Sequence, residues 1–173
     1  MDFEGIAYYG AVEIVKQYFS NNSIYRSNKE QLKKTKKIEI TDSEQNITTR
    51  DILEFEKEYQ IKLPENYLKF LLKYNGGQVD DDEWEDVQCF NSLKYGKLTV
   101  EFMLYNYCII EDLLDKDYLP ISNGYGSNPI TLCLKAGEDY GKIIIFYFDM
   151  DEEPQIIADS LEELLGVKSI DEL

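Results

Sequence analysis

The chain has 173 residues, 43% hydrophobic and 13% aromatic, so it is long enough to bury one full core and too apolar to be disordered. No apolar run approaches the roughly 18 residues that a membrane-spanning helix requires, and the net charge of −16 argues against nucleic acid and anionic membranes as partners. The N-terminus lacks the basic and apolar regions of a secretory signal, so we expect a cytoplasmic protein.

The charge is unevenly distributed along the chain. Residues 1–37 carry seven Lys/Arg and four Asp/Glu, a sum of +3, so the remaining 136 residues sum to −19. Such an acidic surface favours fast capture of a basic partner through electrostatic steering. It is equally compatible with an acidic protein whose charge only keeps it soluble. Both interpretations stay open on composition alone.

The first part of the chain reads as an extension. Apolar residues spread around most of a helix predict helical structure over residues 3–20, followed by a basic, polar connector from Arg26 to Lys37. Residues 36–40 fit a short edge strand. We therefore predict an N-terminal extension over residues 1–46 and a main domain over residues 47–173.

An amphipathic helix opens the main domain. Thr48 or Thr49 suits its N-cap, and Asp51 in the first turn interacts favourably with the helix dipole. Its apolar face consists of Ile52, Phe55 and Tyr59.

A second helix follows after Leu63. Pro64 suits the first helical position, where the missing N–H costs nothing. Asn75-Gly76-Gly77 predicts its end, because Asn and Gly tolerate the left-handed C-terminal turn. The apolar face between these points consists of Tyr67, Phe70, Leu71 and Tyr74.

Residues 78–86 are too charged for a core element, so we expect an exposed loop there. Beyond residue 86 the pattern changes to that of strands. Leu98 to Phe102 alternates like a half-buried strand, and Ile109 to Leu114 suggests a helical turn. Ile143 to Phe148 does not alternate, which predicts a central strand covered on both faces. Further predicted strands cover residues 119–122, 129–134 and 155–158, and Ser160 opens a short helix with a capping box. The pattern predicts an α+β fold: a twisted, mainly antiparallel sheet with helices packed on it.

The two predicted helices form a helical hairpin, and its sequence resembles that of a known family. The string I-x-x-F-E-x-x-Y-x-x-x-L-P-x-x-Y-x-x-F-L-x-x-x-N-G-G, from Ile52 to Gly77, resembles the signature of the SUKH superfamily. These are bacterial toxin-immunity and cell-wall-regulator domains related to the yeast Smi/Knr proteins. The similarity extends over roughly residues 48–166, with matching segments at residues 124–128, 141–143 and 157–164. The resemblance implies a sheet of five or six strands with helices on one side, and no catalytic residue is carried over.

The residues offer little for catalysis. The chain has no histidine, which removes Ser-His-Asp and Cys-His sites and the usual general base near neutral pH. Cys89, Cys108 and Cys133 are far apart and odd in number, so we expect buried thiols and no disulfide framework. Asp149 and Asp151 follow a strand but lack the spacing of a calcium loop, so a solvated turn is favoured. We predict no catalytic residue, no metal site and no cofactor.

The segment from Asp80 to Asp86 is the more productive candidate. It places six carboxylates around Trp84, the only tryptophan of the chain. Trp is a frequent binding hot spot, and the carboxylates suit Arg and Lys of a partner. A solvated loop whose Trp84 folds back onto the core fits equally well. The predicted partner-binding residues are Asp80, Asp81, Asp82, Glu83, Trp84, Glu85, Asp86, Asp149, Asp151, Glu152 and Glu153.

Three functional hypotheses follow from this sequence. The leading one is a non-enzymatic immunity protein that neutralises a cognate, basic, nuclease-like toxin by occluding its active site. The second is an intracellular regulatory or scaffold module of the cell-wall-regulator type, in which residues 1–46 form a docking arm. The third, a metal-dependent hydrolase using Asp149 and Asp151, rests on the weakest pattern. The sequence does not indicate an oligomeric state.

Overall fold

The computed structural model describes residues 25–26, 37–79, 87–124, 126, 128–148 and 152–173. The helix predicted over residues 3–20 and nearly all of the basic connector lie outside these residues. The helices are α1 (Thr49–Tyr59), α2 (Glu65–Lys73), α3 (Val100–Leu104) with a π-helix at Tyr105–Ile110, α4 (Leu161–Leu165) and a 3-10 turn at Ile170–Glu172. The strands are β1 (Tyr25–Arg26), β2 (Ile40–Thr41), β3 (Gly77–Val79), β4 (Cys89–Phe90), β5 (Tyr118–Asn123), β6 (Pro129–Cys133), β7 (Ile143–Ile145) and β8 (Gln155–Ala158).

Within the described residues the strands form one sheet in the order β1-β8-β7-β6-β5-β4-β3-β2. All neighbours from β2 to β8 pair antiparallel, and the two-residue β1 pairs parallel with β8. The α+β class is therefore confirmed, with more strands than the five or six that the resemblance implied. The edge strand expected near residues 36–40 is β2, displaced to Ile40–Thr41.

The start of the helical hairpin follows local capping chemistry. Thr48 caps α1 through a capping box: its backbone N–H donates to Asp51 Oδ2 at 2.8 Å, and its side chain accepts from the Asp51 N–H. Pro64 is the N-cap of α2 with extended backbone, one position earlier than predicted. The apolar faces of both helices are buried, with Ile52 and Phe70 fully inaccessible to solvent. These signature residues build the core.

The end of α2 differs from the prediction. The C-cap Tyr74 is extended (φ −130°), and the positive φ values belong to Gly76 (+74°) and Gly77 (+133°), where β3 begins. Asn75 is fully buried and uses its side chain to hold other segments of the chain. Gln78 and Val79, which were expected in a loop, belong to β3, because they pair with β2 and β4.

The strand predicted for Leu98 to Phe102 is wrong. Val100 begins α3, because the Thr99 hydroxyl accepts the backbone N–H of Phe102 at 3.1 Å and forms an N-cap. Val100, Met103 and Leu104 are buried at helical spacing, which leaves Phe102 half exposed. The alternation of five residues was too short to distinguish a strand from a helix.

The strand β7 is buried on both faces, as predicted, but it ends at Ile145, whereas the predicted strand extended to Phe148. Ile143 and Ile145 pack into the larger core with the helical hairpin. Ile144 and Phe146 point to the opposite face, into a smaller cluster that includes Tyr118 and Leu114. The segment that contains the π-helix and leads into β5 therefore supplies cover on the second face.

Candidate functional site

Several connections between strands leave the sheet at one end. Cys89 pairs with both Gln78 and Asn123, so the end of β3 and the start of β4 lie level with the end of β5. On the other side of β6, Ile145 pairs with Gln155 at the end of β7. The connections β3–β4, β5–β6 and β7–β8 therefore emerge side by side. At about 4.8 Å per strand, β4 and β7 lie about 14 Å apart.

This end of the sheet carries the strands that flank both predicted acidic segments. Asp80 to Asp86, Asp149 and Asp151 lie outside the described residues. Glu152 is exposed and Glu153 is half buried, just before β8. The sequence could not decide whether the two acidic segments leave the fold near each other. The strands that flank them do end at the same end of the sheet. The binding role of these carboxylates stays a prediction.

Buried polar side chains hold β4 and β5 together at this end. The Asn123 side chain donates to Asn91 Oδ1 at 2.8 Å, and Asn91 donates to the carbonyl of Pro120 at 3.0 Å. Ser122 donates its hydroxyl proton to the carbonyl of Cys89 at 2.7 Å. Burial raises the pKa of the Cys89 thiol, against hydrogen bonds from Asn123 that lower it. Hydrogen bonds from three buried side chains therefore join β4 and β5 at this end, which we call the platform.

A groove with a volume of about 910 Å³ lies between the end of α1 and the π-helix. Its buried and half-buried lining side chains are mostly apolar; they include Tyr59, Ile61, Leu104, Cys108, Leu113 and Leu114. The helix α1 contributes from one side and the segment after α3 from the other. We call this feature the π-helix groove; the sequence analysis did not identify it.

The edges of the π-helix groove carry negative charge. Among its exposed lining residues are the carboxylates Glu58, Asp112 and Asp115 and the single cation Lys116. Burial, together with the nearby carboxylates Asp115 and Asp112, raises the pKa of the Cys108 thiol to about 11. Burial likewise raises the pKa of Tyr59, with Glu58 and Glu101 contributing. An apolar interior is thus bordered by carboxylates.

Large apolar side chains of the π-helix face solvent beside this groove. Tyr105 is 50% exposed, Ile109 64% and Ile110 61%, and Phe102 on the preceding helix is 49% exposed. Single exposed hydrophobic residues are normal, but a contiguous group on one short segment is typical of an interaction surface. A π-helical turn is itself frequent at functional sites. The sequence signal that could have revealed it is the Thr99 cap before this apolar run.

The groove and the acidic connections lie at opposite ends of β5. The backbone N–H of Tyr118, the first residue of β5, donates to the carbonyl of Asp115 in the groove at 2.9 Å. The other end of β5, at Asn123, lies level with the strands that flank Asp80 to Asp86. Five rises of about 3.3 Å from Tyr118 to Asn123 separate these ends by about 17 Å. The fold thus offers two distinct candidate surfaces.

Among the residues that the structure describes, no group of three or more His, Cys, Asp or Glu side chains is arranged to hold a metal ion. The cysteines are free thiols, with Cys89 and Cys133 buried as expected and Cys108 only partly so. No described helix is both long and apolar enough to cross a membrane.

Comparison with known proteins identifies the scaffold. The family model described as SMI1 / KNR4 family (SUKH-1) matches residues 46–166, more than half of the chain. This range contains the helical hairpin, strands β3 to β8 and the π-helix groove. It agrees with the resemblance found in the sequence. No curated protein matches the chain.

Proposed function

The chain belongs to the SMI1 / KNR4 family (SUKH-1), and from this membership we propose that it is an immunity protein for a cognate bacterial toxin. The family is associated with immunity proteins and with cell-wall regulators. In our proposal the protein binds a basic, nuclease-like toxin and neutralises it by occluding its active site. The role is stoichiometric and needs no catalytic residue, metal or cofactor.

The charge distribution is the observation that carries this proposal. Residues 38–173 sum to −19. Summed negative charge accelerates the encounter with a positively charged partner, and the effect decreases with ionic strength. Fast capture suits an immunity protein, since free toxin damages its own cell.

The proposed contact residues are those predicted from the sequence: Asp80–Asp86 around Trp84, and Asp149, Asp151, Glu152 and Glu153. Support comes from the strands that flank them, which end side by side on a platform held by Asn123 and Ser122. A platform held in this way lowers the entropy that contact residues lose on binding. Trp84 would serve as the anchor, and the carboxylates would meet Arg and Lys of the toxin.

The first experiment identifies the product of the neighbouring gene and co-expresses it with this protein. Restored growth and a 1:1 complex in a pull-down are the expected results. A neighbouring gene that encodes no toxin, or a toxin that this protein neither binds nor neutralises, would contradict the proposal.

The second experiment measures association by stopped flow with that toxin. Asp81→Lys should slow association more than Glu138→Lys, which makes the same charge change on the β6–β7 connection at the other end of the sheet. The combined reversal of Asp80, Asp81, Asp82 and Glu85 to Lys should slow it further and flatten its salt dependence. Association that is insensitive to both reversal and salt would remove the steering role.

A regulatory or scaffold module is the alternative function. It is favoured by residues 1–45, which lie outside the family match and would act as a docking arm. Gene context distinguishes the two functions, because an immunity gene lies beside a toxin gene and a regulator gene does not. Deletion that alters cell-wall integrity without changing toxin sensitivity would favour the regulator.

A further inference from the structure

We infer that the π-helix groove is a second contact surface of the same complex, and that it binds an apolar segment of the toxin flanked by Lys or Arg. This inference rests on the proposed function and extends it, because the predicted acidic segments lie at the other end of β5. The chemistry of the bound segment is inferred from the shape, the apolar surface and the charge of the groove.

The shape suits a side-chain-bearing segment of a partner. Ligand and peptide sites in proteins usually have volumes of several hundred Å³ and apolar walls with few polar groups. The groove has about 910 Å³ and is lined by Tyr59 and Ile61 from one segment and by Leu104 and Cys108 from another. It is open to solvent at Tyr105 and Ile109, which are half exposed or more. Such a groove accepts an amphipathic helix or an extended strip with apolar anchors.

The exposed apolar residues are not explained by the fold. Ile109 and Ile110 expose most of their side-chain surface, and neither belongs to the buried cores. An aliphatic side chain that leaves water on binding contributes favourably to affinity, in proportion to the apolar area that is covered. A partner that covers Tyr105, Ile109 and Ile110 together would therefore bury three apolar side chains at the centre of the interface.

The charge selects the kind of partner. Glu58 and Asp115 are exposed on two sides of the groove, and Lys116 is the only cation among its described lining residues. A second copy of this chain would bring the same carboxylates against them, and like charges across an interface are unfavourable. A segment with Lys or Arg beside its apolar anchors pairs with these carboxylates at the rim. The groove is therefore suited to a basic protein and not to self-association.

The contact is tested by site-specific photo-crosslinking in the full-length chain. Tyr105→p-benzoylphenylalanine keeps an aromatic side chain at the groove, and Tyr140→p-benzoylphenylalanine is the control. Tyr140 has a similar exposure, 48%, but lies on the β6–β7 connection and does not line the groove. In the presence of the toxin, position 105 should crosslink to an apolar toxin segment next to Lys or Arg. The inference would be overturned if position 105 crosslinked to a second copy of the chain or to residues 1–36. It would also be overturned if positions 105 and 140 crosslinked to the toxin equally.

The affinity test uses truncations of the same side chains. The double variant Tyr105→Ala, Ile109→Ala should raise the Kd for the toxin about 30-fold or more, mainly through faster dissociation. Tyr140→Ala should change it less than about threefold. If wild type neutralises the toxin and the double variant binds equally well, the groove inference fails while the proposed function stands.

A synthetic peptide pair separates the two proposals if the neighbouring gene encodes no toxin. One amphipathic peptide carries a Leu face with Lys at both ends, and its control has Glu in place of each Lys. Preferential binding of the Lys peptide, lost in the double variant, would support the groove although the immunity function had failed. Equal binding of both peptides, or binding unaffected by the double variant, would overturn it.

Discussion

The side chain of Asn75 pairs with the backbone of Leu93 as a neighbouring strand would. Its Oδ1 accepts the Leu93 N–H at 2.7 Å, and its Nδ2 donates to the Leu93 carbonyl at 3.0 Å. The same Nδ2 also donates to the carbonyl of Gln45 at 2.8 Å. One amide thus joins the end of α2 to the segments before α1 and after β4. This explains physically why the Asn of the family signature follows the second helix.

Replacing Asn75 should therefore be costly. Asn75→Ala removes three hydrogen bonds and leaves the buried Leu93 N–H without its partner, for a loss of about 3 kcal/mol in the free energy of unfolding. Asn75→Asp should also destabilise the protein, because a carboxylate cannot donate to the two carbonyls. Urea denaturation measures both. A loss below about 1 kcal/mol for Asn75→Ala would contradict the role assigned to this amide.

Gly77 should be intolerant of any side chain. A Cβ there would lie 2.6 Å from the Thr41 carbonyl oxygen and 2.7 Å from Ile40 Cγ2, at φ +133°. We expect Gly77→Ala to cost about 3 kcal/mol or more, because strain adds to a clash with the backbone of β2.

Gly137→Ala is the matched control for this substitution. Gly137 has a similar φ, +142°, but a Cβ there would meet no atom within 4 Å. Thermal and urea denaturation of both variants therefore separate the contact with β2 from backbone strain. Equal losses would show that the close approach of β2 adds nothing.

The link between α1 and the segment after β4 should depend on pH. Lys94 Nζ lies 2.5 Å from Asp51 Oδ1, and this hydrogen bond, with those from Thr48, holds the pKa of Asp51 well below its ordinary value. Because the pKa is lower in the folded state, the stabilisation is present above the unfolded pKa of about 3.9 and decreases as the pH falls through the folded value.

Asp51→Asn should therefore reduce stability at pH 7, with a difference from wild type that shrinks below about pH 4. Glu54→Gln is the control, since Glu54 forms only an exposed i,i+4 pair with Arg50 at 2.9 Å. It should change stability little at either pH. Urea denaturation at several pH values is the measurement, and a pH-independent effect of Asp51→Asn would contradict the assignment.

The thiol of Cys108 should report on the π-helix groove. It is only partly buried, but its pKa of about 11 leaves almost no thiolate at neutral pH. The rate of alkylation by iodoacetamide should rise about tenfold per pH unit from pH 7 towards that pKa. Asp115→Asn removes a nearby negative charge, so it should lower the pKa and speed alkylation at a fixed pH. An unchanged rate would place Asp115 too far away to act.

Local pattern was sufficient where an element is defined by its own residues. The N-cap at Thr48, which was one of two candidates, the apolar faces of α1 and α2 and the two-sided burial of β7 were predicted correctly. Each depends on spacing along a few residues. The family resemblance, built on the same spacing, is confirmed by the match over residues 46–166.

Local pattern failed where long-range partners decide. Leu98 to Phe102 has an alternating pattern, yet the Thr99 cap and burial of Val100, Met103 and Leu104 make it helical. Gln78 and Val79 look like the start of a polar loop, yet pairing with β2 and β4 makes them a strand. In both places, backbone hydrogen bonds or burial against distant residues outweighed a weak local preference.

The sequence by itself determined the fold family, the acidic character and the lack of histidine, because composition and periodicity are properties of neighbouring residues. Tertiary structure alone brought the strands that flank Asp80–Asp86 and Asp149–Glu153 to one end of the sheet. It alone brought Tyr59 and Cys108 together in the lining of the π-helix groove. The physical reason is that both surfaces arise from strand register and helix packing, which join residues far apart in the chain.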